Sequence, residues 1–139
     1  MPTLEDAIEL AVHAHRGQTD KAGAPYVLHV LRVMLRMPDE TAMTAAVLHD
    51  VVEDTPHTLD LLRAAGFSEA VVAAIDALTR RKGESYEAFV RRAGQNPIAR
   101  LVKRADLEDN MDLRRIPRLT EKDFARLRRY RKVWELLRD

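Results

Sequence analysis

The sequence predicts an all-α fold of about seven or eight helices. Apolar residues recur at spacings of three and four almost throughout the chain, and no segment alternates convincingly as a half-buried strand would. Capping residues, glycines and prolines stand where one helical segment gives way to the next. No internal repeat, low-complexity tract or long linker divides the 139 residues. We therefore predict a single domain over residues 1–139, a length that suits one core.

Boundary residues mark the first three predicted helices. Thr3 can cap a first helix with an apolar stripe. Residues 16–25 contain two glycines and a proline, and we expect a loop there before a second helix over about residues 26–37. Pro38-Asp39-Glu40 starts a third helix, which the apolar pattern extends through Leu48 into a charged cluster.

The second half of the chain carries similar signals. Thr58 can cap a short helix that Gly66 ends, because glycine readily adopts the conformation that follows a helix C-terminus. Thr120 and Asp123 resemble a capping arrangement for the last helix. Further helices are predicted from Ser68 to about Thr79, from Glu84 to Ala93 and from Pro97 to about Met111.

The composition is that of an ordinary folded protein. Hydrophobic residues make up 46% of the chain and charged residues 32%, and no apolar run approaches the roughly 20 residues that span a bilayer. The N-terminus lacks the basic and apolar regions of a signal peptide. The absence of cysteine excludes disulfides, thiolate metal sites and a cysteine nucleophile. Together these features predict a cytoplasmic location.

The net charge of +1 conceals two halves of opposite sign. Residues 1–79 hold 5 Lys or Arg and 12 Asp or Glu, whereas residues 80–139 hold 18 and 10. In one compact domain this distribution can place a basic wall opposite an acidic one, which suits an anionic ligand held near a metal. Charged helix faces that are merely solvated explain the asymmetry equally well.

A charged cluster directly follows the apolar end of the predicted third helix. In Leu-His-Asp-Val-Val-Glu-Asp-Thr, residues 48–55, one histidine and three carboxylates occur close together: His49, Asp50, Glu53 and Asp54. Helical spacing would turn all four side chains to one side. Ionised groups withdrawn from water need a partner, and a divalent metal would supply it. The alternative is a helix end at the surface that merely carries acidic residues.

Two further residues point to the same kind of site. His29 lies in an otherwise apolar helix. Asp106 lies among apolar neighbours, with Lys103 and Asn110 on the same helical face. With the His-Asp pair at 49–50, they form a nitrogen and oxygen donor set that suits manganese, iron or zinc rather than calcium. Four protein ligands would leave positions open for water and substrate; the alternative for His29 alone is a packed core histidine.

The order and surroundings of these residues resemble a known family. His29, then His49-Asp50, then Asp106 is similar to the H…HD…D pattern of HD-superfamily metal-dependent phosphohydrolases. Several stretches more closely resemble the hydrolase domain of RelA/SpoT-type proteins, whose stand-alone versions are called small alarmone hydrolases. They are Ala-His-Arg-Gly-Gln at 14–18, Gly-Ala-Pro-Tyr at 23–26, Ala-Val-Leu-His-Asp-Val-Val-Glu-Asp-Thr at 46–55, and Val-Lys-Arg-Ala-Asp at 102–106 with Asn110. The resemblance covers about residues 4–137.

The resemblance implies an all-α HD-domain bundle that hydrolyses a phosphorylated nucleotide. The family's substrate is (p)ppGpp, guanosine with phosphates on its 5′ and 3′ hydroxyls, and the 3′-diphosphate leaves as pyrophosphate. Another nucleotide or small phosphate ester is the alternative substrate. The implied ligands of one Mn²⁺ ion are His29, His49, Asp50 and Asp106, and the implied water-activating residues are Glu53 and Asp54. Arg16, Lys103 and Asn110 match positions that line the nucleotide pocket, and Lys21 lies in the matching loop.

The chain departs from the alarmone hydrolases between Asp106 and Asn110. The family usually has a basic or apolar side chain there, whereas this chain has Leu107, Glu108 and Asp109. An acidic side chain that faced the pocket would repel phosphate. The alternative is that both acids point to solvent, and helical spacing from Asp106 favours that orientation for Glu108; the orientation of Asp109 stays open.

Arginines and aromatic residues are interleaved in the last helix, a pattern also found in nucleic-acid-binding proteins. Apolar residues recur there at helical spacing: Phe124, Leu127, Tyr130 or Arg131, Trp134 and Leu137. This spacing predicts a core stripe with a solvated basic face. A nucleotide-binding or RNA-binding module with a vestigial metal site is the second hypothesis, although a pure binder has no need of a water-activating pair.

Other signals are weak or missing. The chain has no P-loop, no dinucleotide-binding glycine motif and no GxSxG elbow. It has no room for the synthetase domain of the long RelA/SpoT proteins, so we expect no pyrophosphokinase activity. His13 and His57 are expected at the surface, and His15 is expected to pack or hydrogen-bond within its loop.

Overall fold

The computed structural model describes residues 1–138, and this part of the chain is all-α, as predicted. It contains nine α-helical segments and one 3-10 helix, and no β-strand. None of these helices has the length and apolar composition needed to cross a membrane. The α-helices are α1 (Leu4–Ala14), α2 (Val27–Leu35), α3 (Glu40–Leu48), α4 (Val51–Asp54), α5 (Leu59–Ala64), α6 (Glu69–Ala77), α7 (Tyr86–Ala93), α8 (Pro97–Asn110) and α9 (Glu121–Leu137); the 3-10 helix is Leu113–Arg115.

Local side-chain caps fix most of the helix starts. Thr3 and Asp6 form a reciprocal capping box at α1, and Thr120 and Asp123 form another at α9. Each such cap stabilises its helix by about 1 kcal/mol. After α5, Gly66 adopts a φ of 97°, which glycine tolerates without strain. Single-residue caps are formed by Asp39, Thr58, Ser68, Ser85 and Asn96.

The predicted third helix does not run into the charged cluster. α3 ends at Leu48, and helical structure resumes only in the single-turn α4. The Nδ1 of His49 lies 2.5 Å from the carbonyl oxygen of Ala46, so a side chain occupies an acceptor at the end of α3. Asp50 then departs from helical geometry, with φ −98° and ψ −1°. Helical spacing alone therefore does not explain how residues 49–54 come together.

α3 lies at the centre of the fold, where it contacts α1, α2, α6 and α8. Its last four residues, Ala45-Ala46-Val47-Leu48, are completely buried. Burial of a side chain such as Leu48 contributes about 1.5–3 kcal/mol. Because the end of α3 is packed on several sides, the chain emerges from the core at a fixed position directly before His49 and Asp50.

A second apolar cluster joins α7, α8 and α9. Its buried members are Phe89, Val90, Leu107, Val133 and Leu137. α8 takes part in both clusters, since Val102 packs in the main core and Leu107 packs in the second. Asp106 precedes Leu107 on this doubly anchored helix, which fixes the position of its carboxylate.

The apolar stripe predicted for the last helix is confirmed only in part. Val133 and Leu137 are buried, and Tyr130 and Trp134 are half-buried against the second cluster. Phe124, by contrast, is 41% exposed. The stripe packs through the C-terminal half of α9, so the placement of Phe124 in the core was wrong.

The basic face of α9 is expected to be solvated rather than bound to nucleic acid. Arg128 and Arg129 are exposed, and surface substitutions usually change the free energy of unfolding by no more than about 0.5 kcal/mol. We therefore expect Arg128→Glu and Arg129→Glu each to leave thermal unfolding nearly unchanged. Fluorescence anisotropy with a labelled RNA over a salt series tests the alternative. Tight, salt-dependent RNA binding that these substitutions abolish would favour an RNA-binding module.

Candidate metal centre

Four side chains from three parts of the chain meet in one place. His29 comes from α2, His49 and Asp50 come from the turn between α3 and α4, and Asp106 comes from α8. One donor atom from each side chain lies within 4.8 Å of those of the other three. The structure thus brings together the set of residues that the sequence predicted.

Short distances connect these four side chains, hereafter the His–Asp cluster. His29 Nε2 is 2.8 Å from Asp106 Oδ1. His49 Nε2 is 3.1 Å from Asp50 Oδ2 and 3.5 Å from Asp106 Oδ1. Both histidines are only 2% exposed. The cluster is therefore largely withdrawn from water, where each charge needs a compensating partner.

Hydrogen bonds orient both imidazoles so that Nε2 faces the cluster. His49 Nδ1 donates to the Ala46 carbonyl, and His29 Nδ1 donates to the carboxylate of Asp109 at 2.6 Å. The buried Nε2 of His49 makes no well-aligned hydrogen bond within residues 1–138, although carboxylate oxygens lie close to it. A buried polar atom without a partner is uncommon and is satisfied when the atom binds a metal.

The carboxylates of the cluster favour protonated imidazoles when no metal is bound. Burial lowers the pKa of His49, but the nearby carboxylates of Asp50 and Asp106 raise this pKa well above its usual value. Burial likewise opposes the hydrogen bonds of His29 with two carboxylates, which raise its pKa to about 9. Despite burial, Lys103 and the two histidines hold the pKa of Asp106 well below its usual range. A divalent cation would replace these imidazole protons, because metal ligation requires neutral imidazole.

The donor set therefore fits a divalent metal. Two imidazole nitrogens and two carboxylate oxygens suit a borderline transition-metal ion, and the unpartnered Nε2 of His49 points at the position such an ion would take. Four protein ligands leave coordination positions open.

Tyr26 and Asn110 hold the aspartates of the cluster. The Tyr26 hydroxyl donates to Asp50 Oδ2 at 2.5 Å, and Asn110 Nδ2 donates to Asp106 Oδ1 at 3.4 Å. Sequence reasoning did not identify Tyr26 as part of the site. Tyr26 belongs to the family-like Gly-Ala-Pro-Tyr stretch, but its contact spans 24 residues and no local spacing signals it.

Lys103 is buried beside the cluster. Its Nζ lies 2.9 Å from Asp106 Oδ2 and 5.3 and 5.1 Å from the ring centroids of Tyr86 and Phe89. Only 8% of the residue is exposed. In this position the ammonium group neutralises Asp106, and it lies outside the wall of the cleft described below.

Glu53 and Asp54 lie on α4, next in the chain to the cluster, and both residues are exposed. Partial burial raises the pKa of each carboxyl group, and the charge of Asp50 raises both further. Neither residue belongs to the His–Asp cluster itself. A carboxylate whose pKa is raised is a better proton acceptor than an ordinary surface carboxylate.

A cleft of about 600 Å³ opens beside the cluster, with Tyr26 and Asn110 in its wall. We call it the basic cleft because five cations line it: Lys21, Arg115, Arg118, Lys122 and Arg126. Asp20, Asp112 and Asp123 also line it. Arg115 and Arg126 are paired with aspartates, whereas Lys21, Arg118 and Lys122 form no ion pair within the described part of the chain.

The predicted substrate-binding residues separate into two groups. Lys21 and Asn110 line the basic cleft. Partial burial lowers the pKa of Lys21, and the nearby charges of Arg126 and Arg129 lower it further. Arg16 is exposed and Lys103 is buried, and both residues lie outside the cleft wall.

Asp109, whose orientation the sequence left open, does not point to solvent. This residue is only 6% exposed, and its carboxylate binds His29 and two arginines. Glu108 turns away from the cluster, where it accepts a hydrogen bond from Trp134 Nε1 at 2.9 Å and pairs with Arg36 at 3.2 Å. Neither acid lines the basic cleft, because the helix directs one behind His29 and the other toward α9.

The remaining histidines lie outside the cluster. His13 is exposed, as predicted. His57 is half-buried, with Nδ1 2.9 Å from the Thr55 hydroxyl. His15 is buried and bonds Gln18 within its loop at 2.9 Å, which confirms the expectation for that residue.

A family model described as the HD domain matches residues 7–133. The chain belongs to the HD-domain family. The adjacent pair His49-Asp50 lies within the matched residues of this HD domain.

Curated relatives and a solved structure are similar to this HD domain. Over 120 residues it is 29% identical to guanosine-3′,5′-bis(diphosphate) 3′-pyrophosphohydrolase from Aquifex aeolicus, covering 78% of this chain and 17% of that protein. Over 123 residues it is 34% identical to the bifunctional (p)ppGpp synthase/hydrolase SpoT of Escherichia coli K12, again covering 78% and 17%. The chain thus spans only a small part of the length of these relatives.

The match to a solved structure covers more of both chains than the sequence matches do. A metazoan ortholog of SpoT, described as hydrolysing ppGpp and as playing a role in starvation responses, matches with a TM-score of 0.81 at 27% sequence identity. The match covers 99% of this chain and 88% of that one. Its extent agrees with the all-α HD-domain bundle that the sequence predicted.

Proposed function

We propose that this HD domain is a metal-dependent phosphohydrolase that cleaves a guanosine 3′-diphosphate such as ppGpp and releases pyrophosphate. The observation that carries the proposal is the buried His–Asp cluster beside a cleft whose wall has three cations without an ion pair within residues 1–138. Relatives named as ppGpp hydrolases support the choice of substrate. We propose a cytoplasmic location, where a soluble nucleotide would be available.

His29, His49, Asp50 and Asp106 would hold the metal, and Mn²⁺ is the ion we propose. Such an ion lowers the pKa of water and neutralises charge on phosphoryl oxygens. The protein contributes fixed donors, since Tyr26, Lys103 and Asn110 hold the two aspartates in place. Ligands that are oriented before the ion binds favour a defined coordination geometry.

Glu53 and Asp54 are the candidates for accepting the proton of the attacking water. Both are exposed on α4, adjacent in sequence to Asp50, and both have a raised pKa. We assign the main role to Glu53 and an orienting role to Asp54. General-base catalysis by such a group typically contributes about 10²–10⁴-fold to the rate.

The basic cleft is the proposed site for the rest of the nucleotide. Lys21, Arg118 and Lys122 are available to bind phosphate oxygens, because no carboxylate within residues 1–138 pairs with them. Tyr130 offers an aromatic face in the same wall. Arg16 remains a predicted phosphate contact that the cleft wall does not support.

The substrate is tested by comparing ppGpp with GTP, GDP and other 3′-phosphorylated nucleotides at matched concentration in the presence of Mn²⁺. We expect ppGpp to be cleaved fastest and to yield pyrophosphate, because the cluster and the cleft can bind phosphates at opposite ends of one nucleoside. Release of pyrophosphate and of free phosphate is measured separately.

Two other outcomes change the assignment in different ways. If ppGpp is no better than the other nucleotides while another phosphate ester is cleaved in a Glu53-dependent manner, the alarmone assignment falls and the phosphohydrolase assignment stands. If none of these compounds is hydrolysed by metal-loaded protein, the enzyme assignment itself is contradicted.

A further inference from the structure

We infer that Asp109 is a positioning residue that holds His29 ready to ligate metal, and that Arg115 connects Asp109 to the wall of the basic cleft. The inference rests on the proposed metal site but not on any particular substrate. It assigns a role to an acid whose orientation the sequence left open.

The first observation is the bond between Asp109 and His29. Asp109 Oδ2 lies 2.6 Å from His29 Nδ1, on the side of the ring opposite the Nε2 that faces Asp106. A carboxylate can only accept, so this bond keeps a hydrogen on Nδ1, and Nε2 is the ring nitrogen that would ligate a metal once its own proton is displaced. Ligand histidines typically give their other ring N–H to such an acceptor, which orients the ring and increases its basicity.

The second observation is that Asp109 is itself held rigidly as an anion. Arg32 Nε donates to Oδ1 at 2.8 Å, and Arg32 Nη2 donates to Oδ2 at 3.1 Å. Arg115 Nη1 donates to Oδ2 at 2.9 Å and to the Asp109 carbonyl oxygen at 2.7 Å. Charge-assisted bonds of this kind are stronger than neutral ones, so the carboxylate has little freedom to turn away from His29.

The third observation connects this network to the cleft. Arg115 Nη2 donates to Asp20 Oδ2 at 2.8 Å, and both residues line the basic cleft. The other oxygen of Asp20 accepts the backbone N–H groups of Ala22 and Ala24, which shapes the loop that carries Lys21. One arginine therefore links the cleft wall to the residue behind a candidate metal ligand.

The test compares Asp109→Asn and Asp109→Ala with the wild type and with Glu108→Gln. Glu108 is the matched control because it is the adjacent carboxylate on α8 but bonds Trp134 instead of His29. Zinc affinity of the metal-stripped proteins is measured by calorimetry at fixed pH. We expect Glu108→Gln to bind zinc like the wild type and Asp109→Ala to bind it about 10–100-fold more weakly, as for loss of other groups behind metal ligands. Asp109→Asn keeps a hydrogen-bond acceptor but loses the negative charge, so its zinc affinity should lie between those of the wild type and Asp109→Ala.

A spectroscopic readout separates positioning from simple structural support. In the zinc-loaded wild type, long-range ¹H–¹⁵N NMR should show His29 with a protected Nδ1–H. We expect this signal to shift in Asp109→Asn and to lose its protection in Asp109→Ala. Asp109→Asn carries the test if Asp109→Ala does not fold, as judged by circular dichroism without metal.

The outcomes distinguish this inference from the proposed function. Wild-type zinc affinity and an unchanged His29 signal in folded Asp109→Asn would mean that Asp109 only ties α2 to α8, and would overturn the inference. A wild-type protein that binds zinc in an Asp109-dependent way but hydrolyses no nucleotide would support the inference and contradict the proposed function.

Discussion

His49→Ala should reduce the metal content of the purified protein far below that of the wild type and abolish hydrolysis. The substitution removes one of the four candidate ligands. The buried Nε2 of His49 has no well-aligned hydrogen-bond partner within residues 1–138, so a metal is the partner it lacks. It also removes the imidazole beside Asp50, whereas Asp106 keeps that of His29. Because loss of groups behind the ligands already costs about 10–100-fold in affinity, loss of a ligand should cost more.

Elemental analysis after dialysis against metal-free buffer gives the metal occupancy of the wild type and of His49→Ala. His13→Ala is the matched control, since His13 is an exposed histidine outside the cluster, and it should retain wild-type metal and activity. Chelation of the wild type should reproduce the inactivity of His49→Ala, and added Mn²⁺ should restore only the wild type. Equal metal occupancy in His49→Ala and the wild type would refute the ligand assignment.

Glu53→Gln should keep the metal and lose hydrolysis by on the order of 10²-fold or more, as expected when a general base is removed. Glutamine preserves the size and hydrogen-bonding reach of the side chain but cannot accept the proton of water. Glu53 lies outside the His–Asp cluster, so the substitution removes no donor atom. The loss should therefore appear mainly in kcat, with little change in metal content.

Glu9→Gln serves as the control, because Glu9 is an exposed glutamate on α1, remote in sequence from the cluster. It should show wild-type kcat and wild-type metal content. A Glu53→Gln enzyme that turns over normally would assign Glu53 a structural role and shift attention to Asp54. A variant that lost its metal would instead place Glu53 among the ligands.

Different features of the sequence predicted the helices and the candidate metal ligands. Helix starts were readable because caps such as Thr3 and Thr120 act on backbone groups only three residues away. The candidate ligands were readable because their residue types and order resemble a family pattern. The spacing argument for residues 49–54 failed in detail, since the side chain of His49 binds a carbonyl at the end of α3 and the helix stops there.

The sequence by itself determined the all-α class, most of the helices, and the four residues that form the His–Asp cluster. The tertiary structure alone decided that Asp109 lies behind His29, 80 positions away, and that Arg115 reaches Asp20 across 95 positions. It also decided that Lys103 neutralises Asp106 whereas Lys21 lines the basic cleft. The physical reason is range: caps and helical periodicity act within a few residues, whereas these ion pairs depend on how α2, α8 and the loop at Asp20 pack together.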